Sequence, residues 1–155
     1  MQFSGKEDIE APIDDVFAMV SEFETFERSA IRRGIEVQRG ADCPPGGAGM
    51  NWHTRFYIRG KLRDMHVKLI RYDTPSLMEF TSTSKGVDGL VIIELLALSP
   101  RRTRLSYDFT LTAKTLAARL FLHSMKLARK NMTRRFNLRF AEFARDLEER
   151  RARRA

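Results

Sequence analysis

Few side chains in this sequence stand where they could do chemistry. In TRLSYDFTLT, Tyr107 alternates in phase with Leu105 and Phe109, so its hydroxyl needs either a buried protein partner or a ligand. Glu94 lies inside LVIIELLALS, where burying it unpaired would be costly. It shares parity with Ile92 and Leu96, and the preferred arrangement is an outward Glu94 facing Arg104 on the next strand. His123, among Leu120, Leu122 and Leu127, either faces an apolar cavity or is an ordinary surface histidine of a helix. Proton abstraction would need a base and an oxyanion or enolate stabiliser converging on one point, and no two such groups share an inward parity. There is no G-x-S-x-G nucleophile turn. PPGGAG lacks the GK[ST] ending of a phosphate loop and precedes a strand. The acidic pair Asp14–Asp15 is explained by a helix start. Cys43, the only cysteine, has no internal disulfide partner. With His53, His66 and His123 it matches no zinc spacing, so no metal or cofactor is expected. Catalysis is the weaker reading.

The elements that must position these groups follow from hydrophobic period. In GMNWHTRFYIRGKLR (49–63), Met50, Trp52, Thr54, Phe56 and Ile58 fall on one side. Asn51, His53, Arg55, Tyr57 and Arg59 fall on the other. Successive strand side chains point to opposite faces, so this is a half-buried strand with one oily and one basic face. Residues 2–11 form an opening strand, and Pro12 begins a helical stripe (Val16, Phe17, Val20, Phe23, Phe26) broken near Glu22 and ended by Gly34. Residues 35–40, 61–73, 77–84, 90–99 and 103–112 read as further strands, with turns at 43–49, near Gly60, at 73–75, at 86–89 and at 99–102. In 61–72 the apolar parity switches between Met65–Val67–Leu69 and Ile70–Tyr72, which signals a bulge. From Lys114 to about Arg150 there is neither Gly nor Pro, which predicts one helix roughly 50 Å long. Hairpin-length connections make the sheet antiparallel, and only the last helix is long enough to cover it.

Bulk composition narrows the class. The chain has 155 residues, 43% hydrophobic and 31% charged, enough for one domain with a real core. No apolar run reaches the ~18–20 residues of a membrane span, and MQFSGKEDIEAP carries no apolar leader core, so cytoplasm is the expected location. The net charge of +8 is concentrated at the end: residues 114–155 hold thirteen Lys and Arg against four acids. The helix and its ERRARRA tail (151–155 expected to dangle) either form a solvated outer face with a fraying end, the preferred reading, or contact an anionic membrane surface transiently. Nucleic acid is the less favoured partner.

The opening strand leading into APIDDVFAMVSEFETFER, the YDTPSLMEFTSTS turn and strand, and the LALSPRRTRLSYDFTLT hairpin before the long helix resemble the START-like (SRPBCC) superfamily. That superfamily includes polyketide cyclases and lipid-transfer domains. The resemblance spans the whole chain and rests on structural patterns, with no fixed catalytic motif. It implies an α+β helix-grip fold over 1–150: a curved antiparallel sheet of about seven strands, two short helices after the first strand, and a long C-terminal helix in the sheet's grip. It also implies a cavity between sheet and helix for a small apolar or amphipathic molecule, with a polyketide cyclase or dehydratase as the alternative. The lining of that implied cavity would be Trp52, Phe56, Met78, Phe80, Tyr107 and Phe109, facing Leu120, His123 and Leu127 of the helix; the alternative is that these residues simply fill a core.

Overall fold

The computed structural model of the chain describes residues 1–41 and 47–154. Cys43 and most of the expected 43–49 turn lie outside them. The elements are β1 (Gln2–Ile9), α1 (Ile13–Val20), α2 (Phe23–Arg32), β2 (Glu36–Arg39), β3 (Asn51–Ile58), β4 (Lys61–Asp73), β5 (Leu77–Ser84), β6 (Val87–Ser99), β7 (Arg102–Ala113), α3 (Leu116–Lys126) and α4 (Arg129–Arg154). The seven strands form one antiparallel sheet in the order β1-β7-β6-β5-β4-β3-β2. This is the expected α+β helix-grip architecture.

Local chemistry sets the register. Arg59 and Gly60 take positive φ values of 52° and 77°, the twist a two-residue hairpin needs, so Tyr57 pairs with Leu62. The bulge between Leu69 and Arg71 resolves the parity conflict of the fourth strand. Leu69 and Tyr72 both turn inward across it, while Ile70 stays 43% exposed. The opposite, outer face carries the basic side of β3. There His53 stacks on His66 with centroids 4.4 Å apart, and Asp64 sits 2.9 Å from His53 Nε2 and 3.2 Å from Arg55 Nε. Glu94 is outward as expected, but its register partner is Ser106. Arg104 is instead held by Asp8, with Nε donating to Oδ1 over 2.9 Å.

The inner face is covered in two ways. α1, α2 and the C-terminal part of α4 pack over Ile9, Met50, Leu69, Met78 and Leu105. Fully burying a side chain such as Leu147 contributes on the order of 2 kcal/mol. α3 covers the remaining end of the sheet. The single long helix expected from 114 to 150 is thus two helices. The break needs no Gly or Pro: at Ala128 the backbone N–H bonds back to Met125, three residues away, and none of residues 126–139 is buried enough to hold the helix straight. α4 runs to Arg154, pinned by Arg150 to Glu22 at 2.7 Å, Arg151 to Asp15 at 2.6 Å and Arg154 to Glu22 at 3.4 Å.

Gly5 lets β1 approach α4. A Cβ there would lie 2.6 Å from Tyr107 Cε1 and 2.8 Å from Asn137 Oδ1, the two partners of a part-buried hydrogen bond. Gly5→Ala is expected to cost about 1–3 kcal/mol in urea unfolding. Partial burial pushes the Glu22 carboxyl up, but the Arg150 hydrogen bond and charge, with Arg154 beyond, outweigh it and hold the group below its usual value. A carboxylate held low contributes stability present above its unfolded value, about pH 4.3, and lost as pH falls through the folded value. The stability gap between wild type and Glu22→Gln should therefore stand at neutral pH and close on acidification below about pH 4. A gap that persists in acid would assign the effect to packing.

Candidate functional site

Strand pairing sorts the inner face into a gradient of side-chain size. Opposite residues share a face, so the register Leu69–Phe80–Val91–Phe109 is one inward row, and Val67–Ser82–Gly89–Leu111 is the next. Along β5 the inward residues run Met78, Phe80, Ser82, Ser84, shrinking toward α3. The helix answers with Ala117 and Ala118, and Gly86 allows that close approach, since a Cβ on it would meet the Ala118 Cβ at 3.3 Å. Small groups on both sides leave space. Between β3–β7 and α3 lies a pocket of about 1130 Å³. Ligand sites are commonly roughly 300–1,000 Å³, so the volume is ample for a small molecule.

Its walls are predominantly apolar: Phe56, Val67, Phe80, Val91, Phe109 and Leu111 from the sheet, Phe121, Leu122 and Met125 from the helix. Three hydroxyls reach it. Ser84 Oγ donates to Val87 O at 2.6 Å, and Thr115 Oγ1 accepts from Ala118 N as the helix cap. Ser82 Oγ lies over Gly89, in the space a Cβ there would need, and makes no hydrogen bond with the described residues. The exposed lining residues Ile58, Leu62, Arg63 and Lys85 mark where the pocket meets solvent. Arg63 is opposite Phe56 and therefore inward, and neither Arg63 nor Lys85 has an ion-pair partner among the described residues. Asp64 and His66 border the pocket too, but by register they belong to the outer face, where Asp64 is engaged by His53 and Arg55. At the rim, the Arg59 guanidinium lies 4.9 Å over the Phe121 ring and ties the β3–β4 tip to α3.

Of the nine residues expected to line a cavity, the structure gathers Phe56, Phe80 and Phe109 on its wall. Trp52 is inward and buried but meets α2: its Nε1 donates to Glu27 Oε2 at 2.7 Å and its ring packs on Phe23. Met78 is wholly enclosed in the core. The Tyr107 hydroxyl finds its partner within the protein, donating to Asn137 Oδ1 at 2.8 Å between Phe136 and Phe140, and burial pushes its ionisation up. Leu120, His123 and Leu127 stand on the solvent side of α3. The residues that sequence reasoning missed are Ser82, Gly89, Ala118, Phe121, Leu122 and Met125. The available signal was the taper of inward residues along β5.

The chain matches the family described as "Polyketide cyclase / dehydrase and lipid transport" over residues 1–148, and it belongs to that family. No curated protein sequence matches it. Among solved structures it is similar to TTHA0849 from Thermus thermophilus, at 18% identity and TM-score 0.63, covering 97% of this chain and 96% of that one. It is also similar to a START superfamily protein from Mycobacterium smegmatis, at 14% identity and TM-score 0.56, covering 86% and 95%. The Zhui aromatase/cyclase from Streptomyces sp. R1128 matches at 13% identity and TM-score 0.56, covering 74% and 69%. These likenesses concern the fold. Among the described residues no helix is long and apolar enough to cross a membrane.

Because the Tyr107 hydroxyl is engaged by Asn137, Tyr107→Phe should leave that amide short of a partner and cost about 0.5–1.5 kcal/mol in chemical denaturation. It should not alter the affinity of any molecule held in the α3 pocket.

Proposed function

We infer that the protein binds a small amphipathic molecule in the pocket between sheet and α3, its apolar body against Val91, Phe109 and Leu122 and an anionic end toward Arg63 and Lys85. The observation that carries this reading is the pairing of an apolar interior with two cations at its open end that have no ion-pair partner among the described residues. Burial of the apolar body would supply most of the affinity, at roughly 25 cal/mol per Å² removed from water. A cation at the rim costs little while solvated and favours one ligand orientation over the reverse. Membership in a family described by cyclisation, dehydration and lipid transport supports a small-molecule ligand and leaves its identity open. Binding is favoured over turnover because the inward side chains include no carboxylate or imidazole within the pocket, so acid–base chemistry would have to be done by hydroxyls alone. Carriage of the ligand from one place to another is a natural use of such a site.

The test uses a fluorescent fatty acid, cis-parinaric acid, and its uncharged methyl ester. The wild-type chain should bind both saturably, and the acid more tightly. Arg63→Glu should weaken the acid by roughly tenfold and leave the ester nearly unchanged. Val91→Trp, which fills the pocket, should abolish both. No saturable binding of either probe, or binding indifferent to Val91→Trp, would remove the proposal.

A further inference from the structure

α3 is apolar on two opposite sides. At 100° per residue, Ala118, Phe121, Leu122 and Met125 cluster on the side facing the sheet, while Leu116, Leu120 and Leu127 cluster on the opposite side. The inner group is taken up by the pocket. The outer group is covered by none of the described residues: Leu116 is 73% exposed, Leu120 64% and Leu127 87%. A helix apolar on both sides is ordinarily a buried one, so this outer stripe calls for a cover.

Charge identifies the cover. Between Lys114 and Ala141 the chain carries eight Lys and Arg and not one Asp or Glu. Lys114 is taken by Asp88 at 3.0 Å, and Arg129 donates to the Gln2 carbonyl at 3.3 Å. Arg119, Lys126 and Lys130, which flank the leucine stripe, form no ion pair with the described residues. The basic residues of the C-terminal end are different, since Arg150, Arg151 and Arg154 are paired with Glu22 and Asp15. Cations without an ion-pair partner among the described residues therefore include three that sit beside the exposed leucines, whereas most of those at the tail are engaged. A second copy is a poor cover: apposing two such faces would bring like charges together. Three leucines, on the order of a few hundred Å², also fall short of the roughly 800 Å² per partner of a stable interface. A helix lying flat with leucines buried into an acyl boundary and cations at headgroup level satisfies both requirements at once.

We propose that the outer face of α3 docks on an anionic lipid bilayer, Leu116, Leu120 and Leu127 entering the interface and Arg119, Lys126 and Lys130 meeting the headgroups. Docking there sets the helix that walls the pocket directly on the lipid. The inference does not depend on what the pocket holds.

Flotation of the full chain with vesicles of phosphatidylcholine alone, or of phosphatidylcholine with phosphatidylglycerol, tests it. The chain should float with the anionic vesicles and not the neutral ones, and raised salt should release it. Leu120→Gln with Leu127→Gln should reduce the bound fraction roughly tenfold, and so should Arg119→Gln with Lys126→Gln. Leu96→Gln, an exposed leucine on the outer sheet face, should have no effect. Leu120→Trp should shift its emission to the blue on anionic vesicles. Failure to float, flotation unaffected by the leucine pair, or no emission shift would overturn the proposal. So would a dimer in sedimentation that the same leucine pair dissolves, or salt-sensitive binding to duplex RNA in preference to vesicles.

Discussion

The inner face of one antiparallel sheet must be covered along its whole length, and this chain covers it with two materials of unequal bulk. Where α1, α2 and α4 lie, Trp52, Phe23, Tyr72, Phe80, Met78 and Leu147 pack into one core cluster. Where α3 lies, Ser82, Ser84, Gly86 and Gly89 oppose Ala117 and Ala118, and the atoms do not suffice. The pocket is what remains after that mismatch. Enlarging any of those small residues would trade hollow for core, so their smallness lowers stability by an amount that the filled half of the sheet must offset.

That offset is visible at the terminus of α4. Three arginines bind two acids of the α1–α2 segment, and Leu147 and Ala144 are buried beneath them. Partly exposed ion pairs contribute modestly by themselves, but here they fix the end of a helix whose apolar side is already committed. Tyr107 serves the same end from the sheet, its hydroxyl anchored on Asn137 and its ring held between two phenylalanines of α4. A residue that looked chemically available is a fastener.

Strand content was legible because period two is unambiguous when one face is buried, and hairpin-length connections made the antiparallel pairing legible too. Met50 to Ile58 and Leu105 to Leu111 read correctly residue by residue, and the bulge near Ile70 announced itself as a parity conflict. The site was less legible, for two physical reasons. Parity tells which face a side chain takes but not which helix will meet it, so Trp52 was correctly turned inward yet meets α2. In α3 both sides are apolar, so periodicity alone left the choice between Leu120–Leu127 and Ala118–Met125 undetermined. The helix break at Ala128 left no trace in composition, because a tightened turn costs little where no packing demands straightness.

That tightened turn separates two obligations that a continuous rod would have merged. The far end of α4 beyond it packs into the core through Ala144 and Leu147, and α3 before it walls the hollow. Substitutions between Leu116 and Lys126 on the inward side can therefore reshape the hollow while the packing of Ala144 and Leu147 is left untouched.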